Sequence, residues 1–412
     1  MLKIFTSGLA ANLVFVVSGL LKQYLIAGSL SVVDFGAYGS LVALASFLLV
    51  LMPFPAYLNV MILGFSAPLD AFGTRKRLLI DARAEMITLT VVLFSGLALV
   101  TLYGLLVTEI APIVEPVLLL LLAQYLAACL DILLRMQQAH PHIALFMILR
   151  NIPAILLLLF LSPISPIQVA IFDCVSAMLI TAWFLNARIF RTRRNFLFRS
   201  LRWRIDGEHS RLWLARLAQF GNSSMLRLLV PLSYGAHEIG LFFFALIAQL
   251  PCSLFLSVTT QIYGHTLARL QRGDWTTLFR IQTAFVLPNL MYVVVAAIAL
   301  QFWEPIVSNI PKLAKYADAG PLIIAVVAYG AVLASDCQEY LLRPRKLSGV
   351  LLLYSTVSIL AQIVCVALGA MLNAGLTMII YLCAAVQACV LIAFSFYSFR
   401  KVIKISTLES IK

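Results

Sequence analysis

The sequence predicts an all-α, polytopic membrane protein of about twelve transmembrane helices, and three observations predict it. Hydrophobic residues make up 62% of the 412 and charged residues only 11%, with a mean hydropathy of +1.01. That is more apolar surface than a soluble chain of this length can bury. Runs of about twenty apolar residues, enough to cross a hydrocarbon core about 30 Å thick, recur along the chain. The chain also repeats itself once, each copy starting one half.

The start, MLKIFTSGLAANLVFVVSGLL, has a short basic segment and an apolar run as a signal peptide does. The run continues to about Gly28 and further spans follow, so it is read as a retained first helix. Spans are expected over 5–28, 37–63, 86–108, 113–134, 143–161, 167–187, 213–231, 238–263, 281–302, 320–341, 348–371 and 375–398. Pro53, Pro55, Pro153, Pro251 and Pro288 fall inside them, where each removes a backbone donor and bends the helix. Residues 1–187 thus form a first six-span unit and 213–398 a second. Between them, 188–212 is a basic linker mixing arginines with Phe196, Phe198 and Trp203, read as lying on the anionic inner leaflet. The alternative for the linker is a docking site for a partner protein. Residues 399–412 make a short cytoplasmic tail.

Lys and Arg fix the orientation, because cytoplasmic loops are enriched in them. With the N-terminus inside, inner segments hold 26 of the 30, Arg135 and Arg150 included; outer loops hold Lys312 and Lys315, and Lys22 and Arg227 remain inside the membrane. Both termini are expected to be cytoplasmic. The net charge of +13 is then explained by topology, and no nucleic-acid partner is expected. The seven cysteines lie in or beside apolar spans without metal-ligand spacing and read as small buried hydrophobes. The five histidines sit near loops with no carboxylate cluster, and no phosphate-binding loop or H-E-x-x-H is present. Neither a metal, a cofactor nor a catalytic constellation is expected.

The repeat supplies the candidate site. In Lys22–Tyr38, KQYLIAGSLSVVDFGAY, a cation inside an apolar run precedes Asp34-Phe35-Gly36; in Arg227–Phe242, RLLVPLSYGAHEIGLF, a cation precedes Glu238-Ile239-Gly240. The cations lie 205 residues apart and the acids 204. A second pair, Asp131-Ile-Leu-Leu-Arg135 and Glu339-Tyr-Leu-Leu-Arg343, has an offset of 208. A charge in the bilayer costs about 2.5–3.5 kcal/mol on insertion scales and so marks a pathway by default. Lys22 and Arg227, from equivalent spans that carry no acid, suit a cavity for an anionic ligand such as a phosphate. The competing reading is that both snorkel to the outer interface. Asp131 with Arg135, and Glu339 with Arg343, are spaced to form ion pairs on one helix face; the alternative is a cytoplasmic entry site for a phosphorylated head group. Asp173 stands alone near the outer end of the sixth span, as a proton or sodium coupling site or as an interfacial carboxylate.

The passages LLKQYLIAGSLSVVDFGAYGSLVALASFLLVL, SMLRLLVPLSYGAHEIGLFFFALIAQLPCSLFLSVTTQIYGHTLARLQRGDW, DILLRMQQAHPH and EYLLRPRKLSG resemble the polysaccharide flippases, the Wzx-like branch of the multidrug/oligosaccharidyl-lipid/polysaccharide (MOP) superfamily. The resemblance covers nearly the whole chain with loose motifs. It implies two six-helix bundles forming a V around a cavity, alternating access, an undecaprenyl-pyrophosphate-linked oligosaccharide as cargo, and residence in a bacterial inner membrane. A monomer is expected, in membrane lipid, with polysaccharide polymerase or assembly proteins as further partners. Two positions depart from the family pattern: Gly28-Ser29 replaces an arginine before the first outer loop, and Phe54-Pro55-Ala56 replaces an Asp-Leu-Gly. Two other classes compete with a flippase. A drug/cation antiporter would want the opposite charge in its cavity, and a membrane polymerase or ligase would want a large external loop with catalytic basic residues.

Overall fold

The computed structural model describes residues 2–51, 111–136, 145–146, 148–161, 165–186, 207–269, 275–342 and 348–409. Among them the chain is helical, without strands, as an apolar environment demands: lipid offers no hydrogen bonds, so each span must satisfy its own backbone. Seven described helical segments are long and apolar enough to cross a membrane. The expected span 86–108 lies outside the described residues. The chain divides into two compact units, Met1–Trp213 and Leu214–Lys412.

The first unit contains α1 (Leu2–Ser29), α2 (Val32–Leu51), α3 (Ala111–Met136), α4 (Ile152–Leu161) and α5 (Pro166–Asn186). Its centre is α3, which packs on α2 and α5, while α4 joins α1 to α5. Leu120, Leu122, Tyr125 and Leu130 give α3 an almost fully buried face. The expected fifth span is broken. Residues 148–149 are helical, Arg150 and Asn151 form a turn, and α4 restarts beyond them, with the Ile155 N–H donating to the Asn151 carbonyl at 2.9 Å. Pro153 explains the restart, since a proline fits the first turn of a helix but not its interior.

The second unit contains α6 (Gly207–Ser233, within which the division falls), α7 (Ala236–Ala245), α8 (Leu250–Arg269), α9 (Trp275–Ala299), α10 (Trp303–Ser308), α11 (Gly320–Ala334), α12 (Gln338–Leu342), α13 (Ser348–Met371) and α14 (Leu376–Glu409). Here α11 is central, packing on α7, α8, α9 and α14. It corresponds through the repeat to α3. A 3-10 turn, Leu246–Gln249, joins α7 to α8 just before Pro251, and together they form one helical segment, Ala236–Thr260, long and apolar enough to cross a membrane, in line with the expected span 238–263. The segment before α11 is ordered by aromatics: Phe244 stacks on Tyr316 with centroids 4.0 Å apart, and the Trp303 indole donates to the Ala317 carbonyl at 3.1 Å.

Two boundaries move. Residues 207–212 of the expected linker are the first turns of α6, and the expected tail from 399 continues α14 as helix to Glu409. Most of the linker, 188–206, lies outside the described residues. Of the six cysteines whose side chains are described, five are buried as expected, and Cys389 is exposed.

The repeated acid-apolar-glycine strings turn out to be helix starts. The Asp34 N–H donates to Ser31 Oγ at 3.0 Å, and the Ser31 hydroxyl donates to the Asp34 carboxylate at 2.6 Å. In the second unit the Gly235 N–H donates to the Glu238 carboxylate at 3.3 Å. An acid at the third helical position satisfies otherwise orphaned donors and faces the positive end of the helix dipole. Phe35 and Tyr38 are buried behind the first cap, as is Phe242 behind the second.

Close approach of α13 and α14 depends on Gly369. A Cβ there would lie 2.2 Å from Ile379 Cδ1 and 2.4 Å from its Cγ1, and Ile379 is itself buried. Gly369→Ala should therefore lower stability by about 1–3 kcal/mol, the range for overpacking, despite alanine's better helix propensity. Thermal unfolding of the detergent-purified protein measures this; an unchanged midpoint would show that Ile379 has room to move.

Candidate functional site

Lys22 lies on α1, seven residues before its end, and points into the first unit. Its ammonium forms an ion pair with the Asp173 carboxylate on α5, and the side chains are only 16% and 12% exposed. The Tyr38 hydroxyl, from the first turns of α2, donates to Asp173 Oδ2 at 2.8 Å. Asp173 therefore does not stand alone. A half-buried charge is tolerable where a partner and a hydrogen bond offset its lost hydration.

The pair opens on a cavity of about 190 Å³ contained within the first unit and lined also by Gln124, Arg150, Asn151 and Ser176. Its described polar groups come from α1, α2, α3, α5 and the turn before α4. The Gln124 amide on α3 is held by α2, accepting from Ser46 Oγ at 2.9 Å and donating to the Val42 carbonyl at 3.4 Å. Asn151 Nδ2 donates to Ser18 Oγ on α1 at 3.0 Å. Ser176 is 3% exposed, and among the described residues its hydroxyl has no hydrogen-bond partner.

Arg150, at the start of an expected span, is assigned by the charge count to an inner segment; its guanidinium lies over the Phe15 ring, 5.4 Å from the centroid. Phe15 is midway along α1, and Asn151 touches Ser18 in the next turn, so the break in the fifth span sits at the level of the middle of α1. A broken helix at membrane depth is tolerated where it lines a polar cavity. The sequence carried one trace of this in Pro153 only two residues beyond Asn151.

In the second unit Arg227, on α6, donates through Nη2 to Gln249 Oε1 at 3.4 Å. Gln249 ends the 3-10 turn after α7, and its side chain lies flat on Gly330 of α11, where a Cβ would come 2.3 Å from Gln249 Cγ. Among the described residues no carboxylate pairs with Arg227. Tyr329, also near Arg227, donates to Gln362 Oε1 at 3.0 Å. At the 204-residue offset Tyr38 becomes Phe242, which has no hydroxyl to hold an acid. The two cations of the repeat therefore have different surroundings: one balanced by a carboxylate, one held by an amide.

The side chains of Asp131, Arg135 and Glu339, and the whole of Arg343, lie outside the described residues. No group of three His, Cys, Asp or Glu able to hold a metal occurs among the described residues. If Lys22 and Asp173 depend on each other, Lys22→Met alone should lower stability by about 3–5 kcal/mol, the range for orphaning one member of a buried pair. Lys22→Met with Asp173→Asn, which still accepts from Tyr38, should recover most of that loss in thermal unfolding. Equal loss in the single and double variants would show that the pair is not coupled.

No family model matches this chain, and no curated protein does. Among solved structures, a MOP superfamily transporter from Pyrococcus furiosus matches over 97% of this chain and 93% of its own, with a TM-score of 0.51 at 13% identity. That transporter is described by the reverse polarity of its binding pocket, which suggests a different function for it. The likeness is one of fold: this chain is an all-α, multi-pass membrane protein with the architecture of MOP superfamily transporters.

Proposed function

We propose that this protein is a secondary transporter that moves an undecaprenyl-pyrophosphate-linked oligosaccharide from the cytoplasmic to the outer leaflet of a bacterial inner membrane, for assembly of O-antigen, capsule or exopolysaccharide. The observation that carries the reading is Arg227: a cation on a helix of the second unit whose hydrogen-bond partner is a neutral amide, leaving its charge available to an anion. A guanidinium can take a phosphoryl group through two hydrogen bonds. Lys22 is the second cation, available once Asp173 lets it go. The similarity of residues 20–51 and 224–275 to flippases and the MOP fold support the same reading.

The physical need for such a protein is plain. A sugar chain drawn through hydrocarbon forfeits hydrogen bonds at roughly 2–7 kcal/mol per unpaired group. Alternating access in a wet, polar passage avoids that loss while the prenyl tail stays in lipid. A drug/cation antiporter would need a spare negative charge, whereas Asp173 is already matched by Lys22. Asp173 is the candidate for coupling transport to a proton or sodium gradient.

Flipping of one defined lipid-linked donor in vesicles tests the proposal, with and without each gradient. Arg227→Ala and Lys22→Ala should each slow flipping at least about tenfold, the cost of one charge-assisted contact of about 1.5–3 kcal/mol, while the variants still insert. Normal flipping by the double variant would overturn the assignment of these two cations.

A further inference from the structure

We propose that Cys365 on α13 and Cys383 on α14 are a redox-active dithiol, a covalent modification site at which a small, lipid-soluble disulfide oxidant closes a bond between the two helices. The helix pair itself brings the thiols together. α13 and α14 pack on each other as antiparallel partners, joined by the short turn 372–375 in which Asn373 takes a positive φ of 49°. They approach closely at Gly369 and Ile379. Cys365 lies four residues before Gly369 and Cys383 four residues after Ile379, so both stand one helical turn further in on the same facing stripes. Fifteen residues from that contact on each helix, Tyr354 and Phe394 meet with ring centroids 5.3 Å apart, so one register holds along the pair. Each thiol is accordingly within hydrogen-bonding reach of the other.

Other described cysteines have partners of other kinds. Cys337 donates to Gln282 Oε1 at 2.8 Å, and Cys174 donates to Met178 Sδ at 4.0 Å. Cys365 and Cys383 have each other, and both are free thiols in this structure, 6% and 1% exposed. A buried thiol is closed to polar reagents, so the oxidant must be small and apolar, a class that a membrane concentrates. Cys365, the more accessible, gives up its proton and attacks one sulfur of the oxidant; the oxidant's S–S bond breaks and one half leaves as a thiol. Cys383 then gives up its proton and attacks the Cys365 sulfur; the Cys365–Cys383 bond forms and the second half leaves as a thiol. Two electrons pass from the protein to the oxidant, and two protons leave with its two halves. The new bond fastens a hairpin that is already folded, and it removes freedom from the unfolded chain. Tyr329 on α11 is near both Cys383 and Arg227, so the modification falls close to the candidate anion contact, but the inference does not depend on the transport reading.

The test uses the full-length protein, purified reduced, in phosphatidylcholine nanodiscs and treated with dipyridyl disulfide. Remaining thiols are capped with iodoacetamide, and the peptides are read by mass spectrometry alongside thermal unfolding of the intact protein. A peptide pair joined through Cys365 and Cys383, lighter by two hydrogens than its reduced parts, should be the main product at these positions. The unfolding midpoint should rise by at least about 3 °C, and dithiothreitol should reverse both changes. Cys365→Ala and Cys383→Ala should each abolish the joined pair and the rise; in Cys383→Ala the reaction should stop at a mixed disulfide on Cys365. Joined peptides with an unchanged midpoint still support the pair, because the bond then forms without strain. Joined peptides with a lowered midpoint overturn the inference, since the thiols would then meet only by distorting the helices. Capped or singly modified cysteines at both positions, or a joined pair that appears only after denaturation, also overturn it.

Discussion

Everything in the first unit answers to one constraint, the cost of keeping Lys22 charged inside an apolar bundle. A lone ammonium there would lose several kcal/mol of hydration. The fold meets that cost with α5, which brings Asp173, and with α2, whose Tyr38 hydroxyl donates to that carboxylate; the break before α4 adds Arg150 and Asn151 to the same cavity. The first turns of α2 are therefore part of the site as well as of the scaffold. The cap formed by Ser31 and Asp34 fixes where α2 begins, and so which of its residues, Tyr38, meets α5.

The second unit handles its cation differently. Arg227 keeps a delocalised charge that is more weakly hydrated than an ammonium, and the protein gives it an amide. That arrangement needs Gly330, because only a residue without a side chain lets Gln249 lie against α11. It also needs the 3-10 turn between α7 and α8, which ends at Gln249. In both units one polar group of the site comes from a departure from regular α-helix near a proline: Asn151 at the turn before Pro153, and Gln249 at the 3-10 turn before Pro251. Interruption frees backbone and side chains to face inward at a depth where a continuous helix would present only an apolar surface.

The internal repeat was legible in the residues, but its meaning was not. Equal spacing of Asp34-Phe35-Gly36 and Glu238-Ile239-Gly240 marks two equivalent helix starts, since an acid three positions into a helix serves the same dipole wherever it occurs. Spacing could not tell that these acids cap helices while Asp173, outside any repeated string, pairs with Lys22. Nor could spacing show the turn at Arg150 and Asn151, seven residues after the expected start of the fifth span.

Composition and periodicity by themselves determined the membrane class, the all-α architecture and the two cations outside every loop, because hydropathy and charge are summed along the chain and need no partner. Tertiary structure alone decided what those cations meet. Lys22 and Asp173 are 151 residues apart in sequence, and an ion pair at that distance depends on how helices pack, a relation that no local pattern encodes. The same packing separates the halves chemically, giving one cation a carboxylate and the other an amide, although the residues around them begin from one repeated plan.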